Sequence, residues 1–304
     1  TGIGQATLQQ LTSGSNNTAV GQGALQDIND GADNTACGKH SLANTTSGSY
    51  NTACGTVALH TNTTGEKNTA VGWYSSHLNL GGDNNVAIGY HALKTNSGGN
   101  NNVAIGYEAL YTNTSSNSVG VGYEALRSAT NQGSAVAVGY RAGKSITTGT
   151  VTAIGKQAME NATHVVRSVA VGENALRNLQ GNQAHDNTAV GHGAMASCTT
   201  GQDNTALGTG SLDALTSGSF NTALGYNALS AATTSSDNTA VGYHAGAAIV
   251  GGHSNTAVGQ GAMNSLTEGD SNIAIGRLSL RNCVSGSANV AIGHDAVNKM
   301  TGGS

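Results

Sequence analysis

The sequence predicts an all-β protein, a parallel β-solenoid in which 18 coils of about 17 residues each stack as repeat architectures do. Three observations carry that prediction. A Gly preceded by a short apolar motif recurs from one end of the 304-residue chain to the other. The residues before it alternate with period two, which marks a strand. Bulky aliphatic residues are also scarce: Leu, Ile, Val and Phe make up about 17% of the chain, below the roughly 20% at which a chain struggles to build an ordinary core.

The anchors run from Gly4, Gly21, Gly38 and Gly55 to Gly276 and Gly293, and most neighbours are separated as Gly4 is from Gly21. Two spacings are one position shorter, ending at Gly122 and Gly155, and one is longer, ending at Gly191. Low apolar content usually means disorder, but disorder couples it to high net charge and abundant Pro. This chain has a formal charge of −4 and no Pro. The 45 Gly and runs such as Thr-Ser-Gly-Ser form helices poorly. A unit this short cannot bury its own apolar side chains, whereas stacked units bury one another's.

Each offset from the anchor has its own character. The residue before the Gly is apolar throughout (Val20, Cys37, Ile88), and three before it stand Thr, Val or Ile in all copies. Between them sits Ala, as in Ala19, Ala36, Ala53, Ala70, Ala87 and Ala104, replaced only by Gly2 and Gly120. The flanking pair therefore shares one face of the strand and Ala takes the other. The expected arrangement puts Val, Ile and Leu inside and leaves the Ala stripe for close approach of neighbouring copies of the chain. The reverse, Ala inside and Thr and Val in water, is the alternative.

Four residues after the Gly, Leu, Met or Val recurs as the bulk of the core, on an expected second short strand. Four before it, Asn17, Asn34, Asn51, Asn68, Asn85 and Asn102 begin a column able to form an amide ladder. Seven before it, Gly14, Gly31 and Gly48 mark a turn expected to need positive φ. Stacked at ~4.8 Å per rung, 18 coils would make a rod on the order of 85 Å. Residues 1–304 read as one solenoid domain, with irregular coils at about 115–190. There the Asn gives way to Ser118, Ala135, Val151 and Ser168 and both short spacings occur, so a bend or altered ladder is expected.

The segments Asn85-Val86-Ala87-Ile88-Gly89 and Asn289-Val290-Ala291-Ile292-Gly293 resemble the head repeat of trimeric autotransporter adhesins of the YadA type. The form Asn17-Thr18-Ala19-Val20-Gly21, continuing to Leu25, resembles repeats of phage and algal-virus tail-fibre proteins. The resemblance spans the whole chain, although the adhesin unit is shorter. It implies a left-handed parallel β-roll, a side-by-side homotrimer, and attachment at a cell or virion surface.

Catalytic motifs are missing from the sequence. Gly-x-Gly at Gly21, Gly191, Gly208 and Gly259 lacks a third Gly and a following helix, so it reads as a repeat turn. Cys37 and Cys54, at equivalent offsets of adjacent coils, read as two buried thiols, and Cys198 and Cys283 as packing residues. The ten His are scattered and predict no stacked pair, so no metal and no cofactor is expected. Asp33, Asp186, Asp203 and Asp237 read as solvated turn residues.

One patch stands apart. Directly after the anchor, successive coils carry Trp73, Tyr90, Tyr107, Tyr123 and Tyr140, followed by Tyr74, His91, Glu108, Glu124 and Arg141. Stacking would make an aromatic ladder beside a charged strip, a candidate contact for a host glycan. The expected function is a non-catalytic extracellular fibre or adhesin-type repeat that presents a receptor- or glycan-binding surface. A subunit stacking end to end into filaments and an ice-binding solenoid are the alternatives. With 12 Lys and Arg against 16 Asp and Glu, nucleic-acid binding lacks its basic footprint. No apolar run is long enough for membrane insertion, and the chain reads as processed or cut from a longer one.

Overall fold

The computed structural model describes residues 1–130, 133–181 and 184–297. It is all-β, a β-solenoid with one parallel strand in each ~17-residue turn. Two compact units divide the chain, Thr1–Thr150 and Val151–Ser304. Among the described residues, nine strands belong to unit 1, from β1 (Gly2–Ile3) through β2 (Thr18–Val20), β3 (Thr35–Cys37) and β4 (Thr52–Cys54) to β9 (Val136–Val138). Nine more among the described residues belong to unit 2, from β10 (Val151–Ile154) to β18 (Val290–Ile292). Register is strict: Thr35 pairs with Thr52, Ala36 with Ala53 and Cys37 with Cys54.

The second half of the unit is not a strand, contrary to the expectation from its alternation. It is a continuous turn in which the residues two and four after the anchor are left-handed, as at His40 (φ 53°) and Leu42 (φ 50°). That conformation costs an L-residue roughly 1–2 kcal/mol. Burial of the Leu side chain and hydrogen bonds to both neighbouring coils offset it. His40 N donates to Gln22 O on one side (2.8 Å), and Leu42 N donates to Ala58 O on the other (3.1 Å).

Alanine, not valine, faces inward. Ala19, Ala36, Ala53, Ala70, Ala87 and Ala104 are fully buried and cannot form an interface between copies, which corrects the expected arrangement. The interior is only a methyl wide opposite the Leu column: a Cβ added to Gly120, in the Ala position, would lie 3.0 Å from Leu110 Cγ. Val, Ile and Thr are therefore turned outward, where Ile88 is 39% and Leu207 45% exposed.

Two kinds of glycine hold the coils close. Anchor Gly38 has φ +137°, and a Cβ there would lie 2.5 Å from the carbonyl oxygen of Gly55 in the next coil. Gly48, seven before its anchor, has no positive φ, so the expected reason for glycine fails there. Its Cβ would meet Gly65 O at 2.5 Å, and close approach of coils is what requires it.

The Asn column forms a buried ladder. Asn51 donates from its backbone N (2.9 Å) and from Nδ2 (3.1 Å) to Asn34 Oδ1, and its other amide hydrogen goes to Gly65 O (2.8 Å). Asn34, Asn68 and Asn85 repeat the pattern on Asn17, Asn51 and Asn68. Asn102 keeps the backbone bond to Asn85 Oδ1, while its Nδ2 turns to Ser115 O. Where Asn is replaced the ladder thins, as Ser118 makes only a backbone bond to Asn102 Oδ1.

Candidate functional site

The residue after each anchor Gly opens the turn, so its side chain projects from the coil and stacks on its counterparts at the rung spacing. In unit 1, Tyr90 and Tyr107 lie 4.9 Å apart at 6°, Tyr107 and Tyr123 5.0 Å at 9°, and Tyr123 and Tyr140 5.3 Å at 14°. Trp73 ends the stack, tilted 52° to Tyr90 at 5.1 Å. Thr56 occupies the same offset in the preceding coil. Face-to-face stacking covers the tyrosine faces with one another and leaves edges and hydroxyls outward. A sugar ring seeks a free aromatic face, and Trp73, half exposed at the end of the stack, is where the ladder offers one.

The charged strip beside the rings is closed on itself. Glu108 accepts from Arg127 Nε, with His91 Nδ1 3.9 Å away. Glu124 accepts from Arg141 Nε and Lys144 Nζ, both at 2.9 Å. Burial alone would raise the Glu124 carboxyl, but Lys144 and Arg141 together hold it below its ordinary value. A glycosidic general acid needs the opposite shift, whereas Lys144 and Arg141 hold this carboxylate charged. Arg141 also lies over Tyr140, 5.0 Å from the ring centroid.

Sequence reasoning missed the partners of this strip. Lys94, Tyr111, Arg127 and Lys144 share the offset five after the anchor, which folds back against the offset two after it. Lys94 Nζ donates to Tyr111 OH at 3.0 Å. The same column holds His60 and His77, stacked at 5.3 Å and 11°, so a stacked histidine pair exists where none was expected. Burial lowers the His77 pKa to about 4, helped by His60, Lys94 and His91. The parallel rings pack face to face, with His60 Nδ1 3.1 Å from Thr61 Oγ1. In unit 2 a shorter stack, Tyr226 on Tyr243 (5.4 Å, 11°), was also unforeseen.

The cysteines divide by face. Cys37 and Cys54 are exposed neighbours on the outer surface of β3 and β4, not buried thiols. They follow the outward turn of the Val column. Cys198 and Cys283 are buried.

Among the described residues, one cluster has ligand atoms within reach of a common ion: His185, Asp186 and Asp203, within 4.8 Å of one another. Arg167 already grips both oxygens of Asp186, at 2.7 Å each, and holds that carboxyl at about 2. The guanidinium thus takes the place a cation would fill.

Comparison of the chain with protein-family models, with curated proteins and with solved structures returns no match.

Proposed function

We propose that this chain is a non-catalytic structural repeat of an extracellular fibre, associating side by side with copies of itself through the outer face of its sheet. The observation that carries the reading is that face. Parallel sheets occur almost only with both faces covered, yet here a mostly exposed column of Val, Ile, Leu and Cys runs beside a partly exposed column of Thr, Val and Ile, without a charged side chain in either. A second copy offering the same columns covers them without burying a charge. Three left-handed copies per bundle is the stoichiometry that the resemblance to adhesin heads suggests. The ladder of Trp73, Tyr90, Tyr107, Tyr123 and Tyr140, with its charged strip, lies at the offset after the anchor and would stay available for a glycan or protein receptor at a cell or virion surface.

The mass in solution tests this. Light scattering should give three times the 30.1 kDa chain mass, and Ile88→Lys with Ile105→Lys should return it to one chain. A one-chain mass for the unaltered protein overturns the proposal.

Ice binding is a second reading, favoured by the outward Thr18, Thr35 and Thr52 of unit 1. Its weakness is the neighbouring column, Val20, Cys37 and Cys54, which carries no hydroxyl. Absence of thermal hysteresis would remove it.

A further inference from the structure

The offset two after the anchor is a column of outward side chains on left-handed backbone. In unit 2 it reads Gln157, Asn174, Gly193, Gly210, Asn227 and His244, with φ between 51° and 66°. Left-handed backbone does not by itself require glycine here, since Asn174 (φ 59°) and Asn227 (φ 51°) adopt it. What glycine does at this offset is remove a side chain. At Gly23 the gap is taken by the His40 ring, 2.4 Å from an added Cβ, and at Gly261 by Leu278 at 2.8 Å. At Gly210 it is taken by Asn227 Oδ1, at 2.3 Å. Over Gly193 nothing lies within 4 Å.

The space above Gly193 is a groove of about 340 Å³, within the roughly 300–1,000 Å³ of small-molecule sites. Asn174, Arg177, His192, Thr209 and Asp213 line it. Arg177 is fixed by Glu160, which accepts from its Nε (3.0 Å) and Nη2 (2.8 Å). The backbone N–H of Gly193 is already committed to Glu173 O at 2.9 Å, so recognition falls to the side chains.

We infer that this groove binds one pyranose ring of a neutral saccharide. The wall carries an acceptor, the Asp213 carboxylate, a donor, the Arg177 guanidinium, and two groups able to play either part, the His192 ring and the Thr209 hydroxyl. A hydroxyl both donates and accepts, and a pyranose brings several on one rigid ring. An ammonium ligand would face the Arg177 guanidinium. A carboxylate or phosphate would face the Asp213 carboxylate. The inference is independent of self-association through the sheet face, because it concerns the turn side of unit 2 and is read by sugar binding and not by mass.

The test uses the intact protein with the methyl pyranosides of glucose, galactose, mannose and N-acetylglucosamine, followed by saturation-transfer NMR and calorimetry. At least one glycoside should receive saturation. Gly193→Asn, which restores the residue that neighbouring coils tolerate at this offset, should weaken binding at least about tenfold, or ~1.4 kcal/mol, with circular dichroism unchanged. Should that variant not fold, Asp213→Ala removes the acceptor on the wall without filling the groove and should weaken binding likewise. No transfer to any of the four glycosides overturns the inference. Binding that survives Gly193→Asn, or that is lost in Trp73→Ala instead, overturns it as well.

Discussion

Gly120 faces Leu110 across the interior of unit 1, so close that an added Cβ would sit 3.0 Å from the leucine Cγ. The same geometry governs the Ala column. Ala53→Val or Ala87→Val should destabilise unit 1 by about 1–3 kcal/mol through overpacking. Val86→Thr, one residue away on the outer face, should stay within about 0.5 kcal/mol. Urea denaturation of the three variants checks this, and equal midpoints would contradict an Ala interior.

The Asn ladder makes each amide oxygen the acceptor for its neighbour's backbone and side chain. Asn51→Ala strands the Asn68 N–H and one Asn68 amide hydrogen, whereas the Gly65 carbonyl keeps a donor in Asn62 Nδ2. Each buried group left unpaired costs about 1–3 kcal/mol. Hydrogen exchange should accelerate at the Asn68 amide and spare coils several rungs away, since repeat stability is a sum of neighbour terms.

The His60–His77 stack makes unit 1 acid-sensitive. The folded state holds His77 at about 4, below its ordinary 6.5, so the unfolded chain binds this proton more readily. Stability contributed by neutral His77 is complete above 6.5 and is lost as pH falls from there toward 4. His60 and His91 are lowered too, burial being the largest cause in each, which adds in the same direction. Thermal melts at about pH 7 and about pH 4.5 should show a drop that His77→Gln reduces; an identical drop in the variant would assign the acid loss elsewhere.

Thiol chemistry separates the two cysteine pairs. Cys37 and Cys54 should react with an aromatic disulfide reagent in the folded protein, whereas Cys198 and Cys283 should react only on unfolding. Burial raises Cys198 to about 11, which further suppresses its thiolate. Four rapidly reacting thiols would contradict the burial pattern.

The period, the strand position and the composition of each column were legible in the sequence because every coil repeats them. Which face points inward was not, since alternation fixes faces only relative to one another. The clue lay in size: the interior column tolerates Ala and Gly alone, whereas Val20, Ile88 and Leu207 vary freely in bulk on the outside. A second buried ladder, Asn62, Asn79 and Asn96, joined by Nδ2–Oδ1 bonds of 2.7 Å, escaped notice. Its offset holds Ile28, Ala129 and Ile146 in other coils and so lacks a uniform signature. The aromatic stack was readable from spacing. Its ion pairs were not, because the turn brings offsets two and five together, a proximity that a strand-like reading of that segment does not give.

Within each unit, the contacts a coil makes with its neighbour recur from one coil to the next, as the Asn34–Asn51 bond and the Gly38–Gly55 approach show. A whole copy could therefore be deleted or duplicated in frame without inventing a new contact surface. Unequal recombination in the gene would then change the protein in quanta of one coil, making reach a trait that selection can adjust stepwise while the local chemistry of each step stays constant.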